Sequence, residues 1–289
     1  MPRKPPAGLP APAGVLAKYV QTYAREAGVT EGRVRGWISY MVVAGMLERA
    51  AAAGQPRFIV KGGIALELRL RDRARATKDI DVVLQDAEAE LARTLEGAIT
   101  GEAYQDFSFR RKGEPLLLDN GTVNIELAVT YRGGAWTSIA VDIARAEPGE
   151  AEIEWLPAIP LTAAFGITGP TDLPCLSLRL HIAQKLHGMT LPPREGRQND
   201  RFRDLVDLLL MEELVTEYEG LREACEMVFK HRGTHDWPPE FAVPPHWTDP
   251  FARMAADLDL PVTDASTGME RVQAFVHRIL QTASPPPDA

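Results

Sequence analysis

Cysteine is nearly absent, with Cys175 and Cys225 the whole supply in 289 residues. They lie far apart, without Cys-x-x-Cys or Cys/His ligand spacing, which argues against a disulfide framework and a structural zinc site. A reducing, cytoplasmic setting is the expectation. Long apolar runs are missing as well. The opening MPRKPPAGLPAPAG has no secretory apolar core, and nothing later approaches an uninterrupted membrane span, so the chain reads as soluble with no membrane partner. Surplus positive charge is lacking too. A formal net charge of −8 argues against a general nucleic-acid-coating protein.

Several catalytic signatures are also absent. Neither Gly-x-x-x-x-Gly-Lys-Ser/Thr nor Gly-x-Gly-x-x-Gly occurs, which removes the main support for a P-loop enzyme or a dehydrogenase. His231 and His235 lack the intervening Glu of a zinc helix and read as a surface loop. His181 and His187, six apart around Lys185, do not share a helical face and read as packing residues. Ser177 and the two cysteines have no base at nucleophile spacing. Trp155, Trp237 and Trp247 read as core aromatics beside turns.

What is present is uneven charge and a change of pattern along the chain. One basic island runs over Arg57, Lys61, Arg69, Arg71, Arg73, Arg75 and Lys78. A second holds Arg179, Lys185, Arg194, Arg197, Arg201 and Arg203. Each is either a solvated helix face or part of an anion-binding cleft. After a Pro-rich start, VLAKYVQTYAREAG and TEGRVRGWISYMVVAGMLERAAAAG have helical periodicity, with Thr30 as an N-cap. RFIVKGG reads as a strand ending in paired glycines, IALELRL as a helix, DIDVVLQ as a buried strand and AEAELARTLEGAIT as a helix.

Three extended stretches follow, AYQDFSFRRKG, GTVNIELAVTYRG and WTSIAVDIARAE, with a turn at Asp119 to Gly121. Beyond Leu173 the pattern turns helical, interrupted by the loop WPPEFAVPPHWTDP. The expected class is therefore α/β (α+β): a mixed sheet flanked by helices, then a helical C-terminal half. The boundary falls near Pro160 to Thr171, giving parts of 1–165 and 166–289, with a cleft expected between them.

The stretch RATKDIDVVL, Arg75 to Leu84, starts a strand with two carboxylates. Asp79 and Asp81 are two apart and so point to one face, where mutual repulsion and desolvation call for a cation. Magnesium suits such a pair, because it takes hard oxygens from one or two carboxylates together with substrate phosphates. A strand end with solvated acids is the plain alternative. Gly62 and Gly63, between a strand and a helix, present backbone N–H groups suited to phosphate. Asp142 is the single acid inside WTSIAVDIARAE and a third metal candidate, with Glu126 its rival. Lys185 sits amid apolar periodicity, where an amine needs an anionic partner.

These segments, in order, resemble a known family. Lys61-Gly-Gly-Ile-Ala-Leu-Glu-Leu-Arg69, Arg75-x-Thr77-x-Asp79-Ile-Asp81, Ala-Val-Asp142-Ile, Lys185-Leu-His and Arg201-Phe-Arg-Asp204-Leu-Val-Asp207-Leu are similar to the motifs of AbiEii-type nucleotidyltransferases. That group includes the MenT toxins and belongs to the DNA polymerase β-like superfamily. The resemblance covers about Arg57 to Leu210. It implies a nucleotidyltransferase fold with its core in 1–165 and a C-terminal part completing the active-site cleft.

It also implies roles. Gly62 and Gly63 contact the triphosphate, Asp79 and Asp81 hold Mg2+, and Asp142 is the third acid. Lys185 reaches the nucleotide phosphates, and Asp204 is the acid that follows it. Because Arg203 stands where the family more often has lysine, the choice between Asp204 and Asp207 is open. Thr77 matches a hydroxyl position near the nucleotide that antitoxins modify in some members. The implied activity is transfer of NMP from an NTP to the tRNA 3′ end by a toxin with a cognate antitoxin. A protein or small-molecule acceptor is the alternative, as is a catalytically silent nucleotide-binding module.

Overall fold

A computed structural model describes residues 11–51, 55–75, 77, 79–86, 88–100, 103–158, 166–167, 169–193, 196 and 198–282, apart from the side chain of Asp72. Lys78, Arg194 and Arg197 of the basic islands, and most of the expected boundary near Pro160, lie outside these residues. The chain divides into two compact units. The first comprises Met1–Arg71, Ala76–Ala146 and Ile153–Cys175; the second comprises Asp72–Arg75, Glu147–Glu152 and Leu176–Ala289.

The first unit is built on a mixed sheet. Helix α1, Ala13–Glu26, buries Leu16, Val20 and Ala24, a stripe at intervals of four. Helix α2, Glu31–Arg49, begins where Thr30 Oγ1 accepts the Arg33 N–H at 3.2 Å. It is buried on every face from Ile38 to Leu47, so it is a core helix rather than a surface one. Strand β1, Phe58–Lys61, leads into α3, Gly62–Leu70; β2 is Asp79–Leu84 and α4 is Leu91–Ile99. β3, Phe107–Arg111, and β4, Leu116–Leu117, both pair with β5, Val123–Tyr131. β5 turns through Arg132 and Gly133, both at positive φ, into β6, Gly134–Arg145.

β7, Ile153–Pro157, and β8, Asp172–Leu176, complete the sheet. The order is β3-β5-β6-β2-β1-β8-β7. β2 runs antiparallel to β1 and parallel to β6, so the acidic strand is central, with Ile80 and Val82 to Leu84 buried, Asp81 half-buried and Asp79 exposed. The apolar core of this unit includes Ile38, Val42, Val60, Val82, Leu127 and Val141.

Beyond β8 the chain is helical. α5, Leu178–Met189, starts at Ser177, whose hydroxyl accepts the Leu180 N–H. α6, Phe202–Glu212, and α7, Leu221–Arg232, pack against it. α8, Thr248–Asp257, and α9, Ala265–Gln281, pack on α6. The segment Glu147–Glu152 belongs here because Arg232 pairs with Glu147, Gln184 donates to the buried Glu150 at 2.7 Å, and Arg179 pairs with Glu152.

Five sequence readings are corrected. A strand, β8, crosses Leu173, where helix was expected; its short run of Leu173, Pro174, Cys175 and Leu176 is buried in the sheet and has no alternation to reveal it. β7 was not anticipated. α8 begins inside the stretch read as a loop. His231 lies in the last turn of α7 rather than in a loop. Trp247 is fully buried as expected, whereas Trp155, on β7, is 53% exposed. Among the described residues no helix is long and apolar enough to cross a membrane.

Candidate active site

In the first unit, strand register gathers the acids. Asp79 and Asp81 alternate with the buried Ile80 on β2, and Asp81 stands opposite Asp142 on β6. Registered residues of neighbouring strands share a face, so Asp79, Asp81 and Asp142 all point to one side of the sheet. Glu126 stands opposite Ala140 on β5, one strand further away, and its carboxylate pairs with Lys112 at 3.4 Å. The register therefore separates the two rivals. Asp142 Oδ1 accepts a 2.6 Å hydrogen bond from Asn124 Nδ2, the residue opposite it on β5.

The paired glycines lie against these acids. Gly62 has φ +61, and a Cβ there would stand 1.8 Å from Asp81 Oδ2; a Cβ on Gly63 would stand 2.5 Å from Thr77 Oγ1. Only a residue without a side chain lets the start of α3 approach the Asp81 carboxylate this closely. Gly62→Ala is expected to cost about 1–2 kcal/mol from the left-handed backbone alone, with displacement of Asp81 in addition. A lowered urea midpoint with an unchanged slope checks it.

Hard-oxygen chemistry and the glycine cradle fit a magnesium ion coordinated by substrate phosphates. Among the described residues no three His, Cys, Asp or Glu side chains converge as a preformed metal set. Asp81 lies toward Gly62, and Asp142 is held by Asn124.

Thr77 is fixed by its surroundings. Its hydroxyl donates to the Asp79 carbonyl at 3.2 Å, its N–H donates to Glu67 Oε1 at 3.1 Å, and Tyr40 Oη donates to its carbonyl at 3.3 Å. The expected nucleotide contact is thus from a hydroxyl already engaged with the backbone of the first aspartate. Glu67 and Tyr40 escaped the sequence reading. The one available signal was an acid within the apolar helix IALELRL.

The second unit carries a buried charge network. Lys185 Nζ donates to Asp204 Oδ1 at 2.9 Å and Asp207 Oδ2 at 2.7 Å. Arg75 grips Asp207 with two bonds, Nε to Oδ1 and Nη2 to Oδ2, both 2.9 Å. Arg201 reaches Asp204 Oδ2 at 3.2 Å. Burial works against the Lys185 ammonium, but the charges of Asp204 and Asp207 outweigh it and raise its pKa. Burial likewise works against the Asp207 carboxylate, and Lys185 and Arg75 outweigh it and lower its pKa. Both groups are therefore charged at neutral pH.

The open choice between the two acids acquires a geometric content. Asp207 is fully buried and has its two oxygens taken by Arg75 and Lys185, whereas Asp204 is 6% exposed and is held by Lys185 and the largely exposed Arg201. Arg75 was quoted within its motif, but no local signal showed that its partner lies in α6.

The remaining expectations resolve as follows. His187 is buried, and burial with the neighbouring Arg232, His235 and Arg201 pushes its pKa down to about 3, so it stays neutral. Burial raises the Cys175 thiol to about 12, which agrees with its having no nucleophilic role. The basic islands are largely ion-paired within their units, through Arg57 with Asp86, Arg69 with Glu154, Arg73 with Glu213 and Arg179 with Glu152.

Comparison with known proteins follows the same lines. The family described as nucleotidyl transferase AbiEii toxin, type IV TA system, matches residues 46–278. The structure of MenT4, a nucleotidyltransferase toxin from Mycobacterium tuberculosis H37Rv, is similar with a TM-score of 0.64 at 18% identity, over 94% of this chain and 91% of that one. An antigenic nucleotidyltransferase-like protein from Paracoccidioides brasiliensis aligns with a TM-score of 0.43 at 16% identity, over 68% of this chain and 89% of the other. At 18% identity the likeness to MenT4 is one of fold. A comparison with curated proteins gives no match.

Proposed function

Because this chain belongs to the nucleotidyl transferase AbiEii toxin family of type IV toxin–antitoxin systems, we propose that it is a magnesium-dependent enzyme that transfers NMP from an NTP to the 3′ end of tRNA. The result is a tRNA that can no longer be charged, and arrested translation. An NTP substrate and an antitoxin partner follow from the family. The observation that carries the chemistry is the common face of Asp79, Asp81 and Asp142 beside the Gly62–Gly63 turn.

Nucleotidyl transfer asks a protein mainly to align the attacking and leaving oxygens and to neutralise charge. In this reading Asp79, Asp81 and Asp142 hold Mg2+, which when bound neutralises phosphate charge and polarises the phosphoryl oxygens. Backbone N–H groups of Gly62 and Gly63 bind the triphosphate. In the same reading Asp142, which accepts a hydrogen bond from Asn124, additionally positions the acceptor hydroxyl or takes up its proton. In the helical unit, Lys185 binds nucleotide phosphate, with Asp204 as its exchangeable partner and Asp207 as its fixed one.

A second reading keeps this site and changes the acceptor to a protein or small-molecule hydroxyl. The net charge of −8 and the internal pairing of most basic-island arginines favour it. Incubation with magnesium, each α-labelled NTP in turn and total tRNA, resolved on a denaturing gel, separates the two. Label on tRNA with the wild type and none with Asp79→Ala supports the first reading, with tRNA affinity falling as salt rises. Label on protein, or salt-insensitive tRNA binding, favours the second.

A further inference from the structure

We infer that Trp37, Tyr40 and Glu67 are positioning residues for nucleotidyl transfer, clamping the Thr77 peptide so that Asp79 and Asp81 enter β2 in a fixed place. The inference rests on the reading of those aspartates as the catalytic acids. It gives α2, which lies mostly outside the motif region, a part in the reaction.

Glu67 is 2% exposed, on the buried side of α3. A buried carboxylate is costly unless its oxygens are occupied, and both are. Oε2 accepts the Trp37 indole N–H at 2.8 Å, and Oε1 accepts the Thr77 backbone N–H at 3.1 Å. Trp37 and Tyr40 are three apart and so share a face of α2. From that face Tyr40 donates to the Thr77 carbonyl. One residue is therefore held at its N–H through α3 and at its C=O through α2.

The hold is passed on to the acids. The Thr77 hydroxyl donates to the Asp79 carbonyl, and the Thr77 side chain rests on Gly63, whose neighbour Gly62 lies under Asp81. A shift of the Thr77 peptide would move the start of β2 relative to the glycine turn. Burial, then the charges of Glu67 and Asp79, raise the Tyr40 pKa, so its phenol remains a donor at neutral pH. An apolar residue at position 67 would fill the same helix face without desolvating a charge. Its carboxylate instead orders two N–H groups.

The test compares full-length wild type, Asp79→Ala, Glu67→Gln, Trp37→Phe and Tyr40→Phe by steady-state transfer from labelled NTP, thermal melting and amide exchange of the peptide spanning 75–81. Glu67→Gln turns one acceptor into a donor facing an N–H. Glu67→Gln is expected to lower kcat by about 10–100-fold, the usual effect of losing an outer-shell partner. KM for NTP should stay within about threefold and exchange across 75–81 should quicken. Tyr40→Phe, which removes one donor and keeps the ring, and Trp37→Phe, which removes one donor and shrinks the indole to a phenyl, should show the same split with smaller losses. They carry the test if Glu67→Gln fails to fold.

A kcat within twofold of wild type in these variants, with Asp79→Ala inactive, would overturn the inference. So would a loss of activity that merely follows the loss of folded protein. Wild-type-like transfer by Asp79→Ala would instead sink the reading of the aspartates.

Discussion

Asp207→Ala is expected to destabilise the helical unit by about 3–5 kcal/mol, because removing one partner of a buried ion pair leaves an uncompensated charge. Two cations depend on this carboxylate. Lys185 retains Asp204, but Arg75 loses both of the bonds that its guanidinium makes to Asp207. Lys185→Met should cost less, since Asp207 keeps Arg75 and Asp204 keeps Arg201. The order of the two losses in urea unfolding at pH 7 is the result to read. An Asp207→Ala cost under about 1 kcal/mol would mean that the network is solvated rather than buried.

The same network predicts a pH window. Asp207 has a depressed pKa, so its contribution is present above its ordinary value of 3.8 and is lost as pH falls through the lower folded value. Lys185 has a raised pKa, so its contribution is present below its ordinary value of 10.5 and is lost as pH rises through the higher folded value. The contribution of this ion pair should therefore hold between roughly pH 4 and pH 10 and fall on either side, while the buried neutral His187, whose pKa is pushed down to about 3, should already lower the stability of the unit as pH falls below its ordinary 6.5. Asp207→Ala should flatten the acid limb.

Asp79→Asn and Asp81→Asn are expected to lower kcat by about 10³-fold, equivalent to ~4 kcal/mol of lost transition-state stabilisation. The fold should not suffer. Asp81 and Asp142 stand opposite one another on adjacent strands with Asp79 beside them, and like charges on one face repel. Neutralising one should leave the melting temperature unchanged or raise it slightly. Loss of transfer with an equal or higher Tm identifies carboxylates placed for chemistry. A parallel loss of both would make them structural.

Much of the first unit was legible because its signals are local. A short apolar run made DIDVVLQ a buried strand and alternation made VNIELAV one, period 3.6 marked the helices, Thr30 announced α2, and the Asp119 to Gly121 turn signal preceded β5. The rule that residues two apart on a strand share a face was enough to pair Asp79 with Asp81. β7 and β8 were missed for the converse reason. They are short, one carries an exposed Trp155 and the other is buried without alternation, so neither has a period of its own.

The amino-acid sequence by itself determined the class of chemistry, through ordered motifs whose residue types suit metal and phosphate, and it determined that Lys185 needs an anion. Tertiary structure decided which groups meet. Asp142, rather than Glu126, stands beside Asp81 because parallel pairing of β2 and β6 sets the two opposite each other, a matter of register between segments some sixty residues apart. Asp207 is distinguished from Asp204 by Arg75, which is more than a hundred residues away in the chain. Glu67 became visible only when Trp37 and Thr77 were found on its two oxygens. The physical reason is common to all three: hydrogen bonds and ion pairs are short-ranged in space, and spacing along a chain constrains them only within one helix or strand.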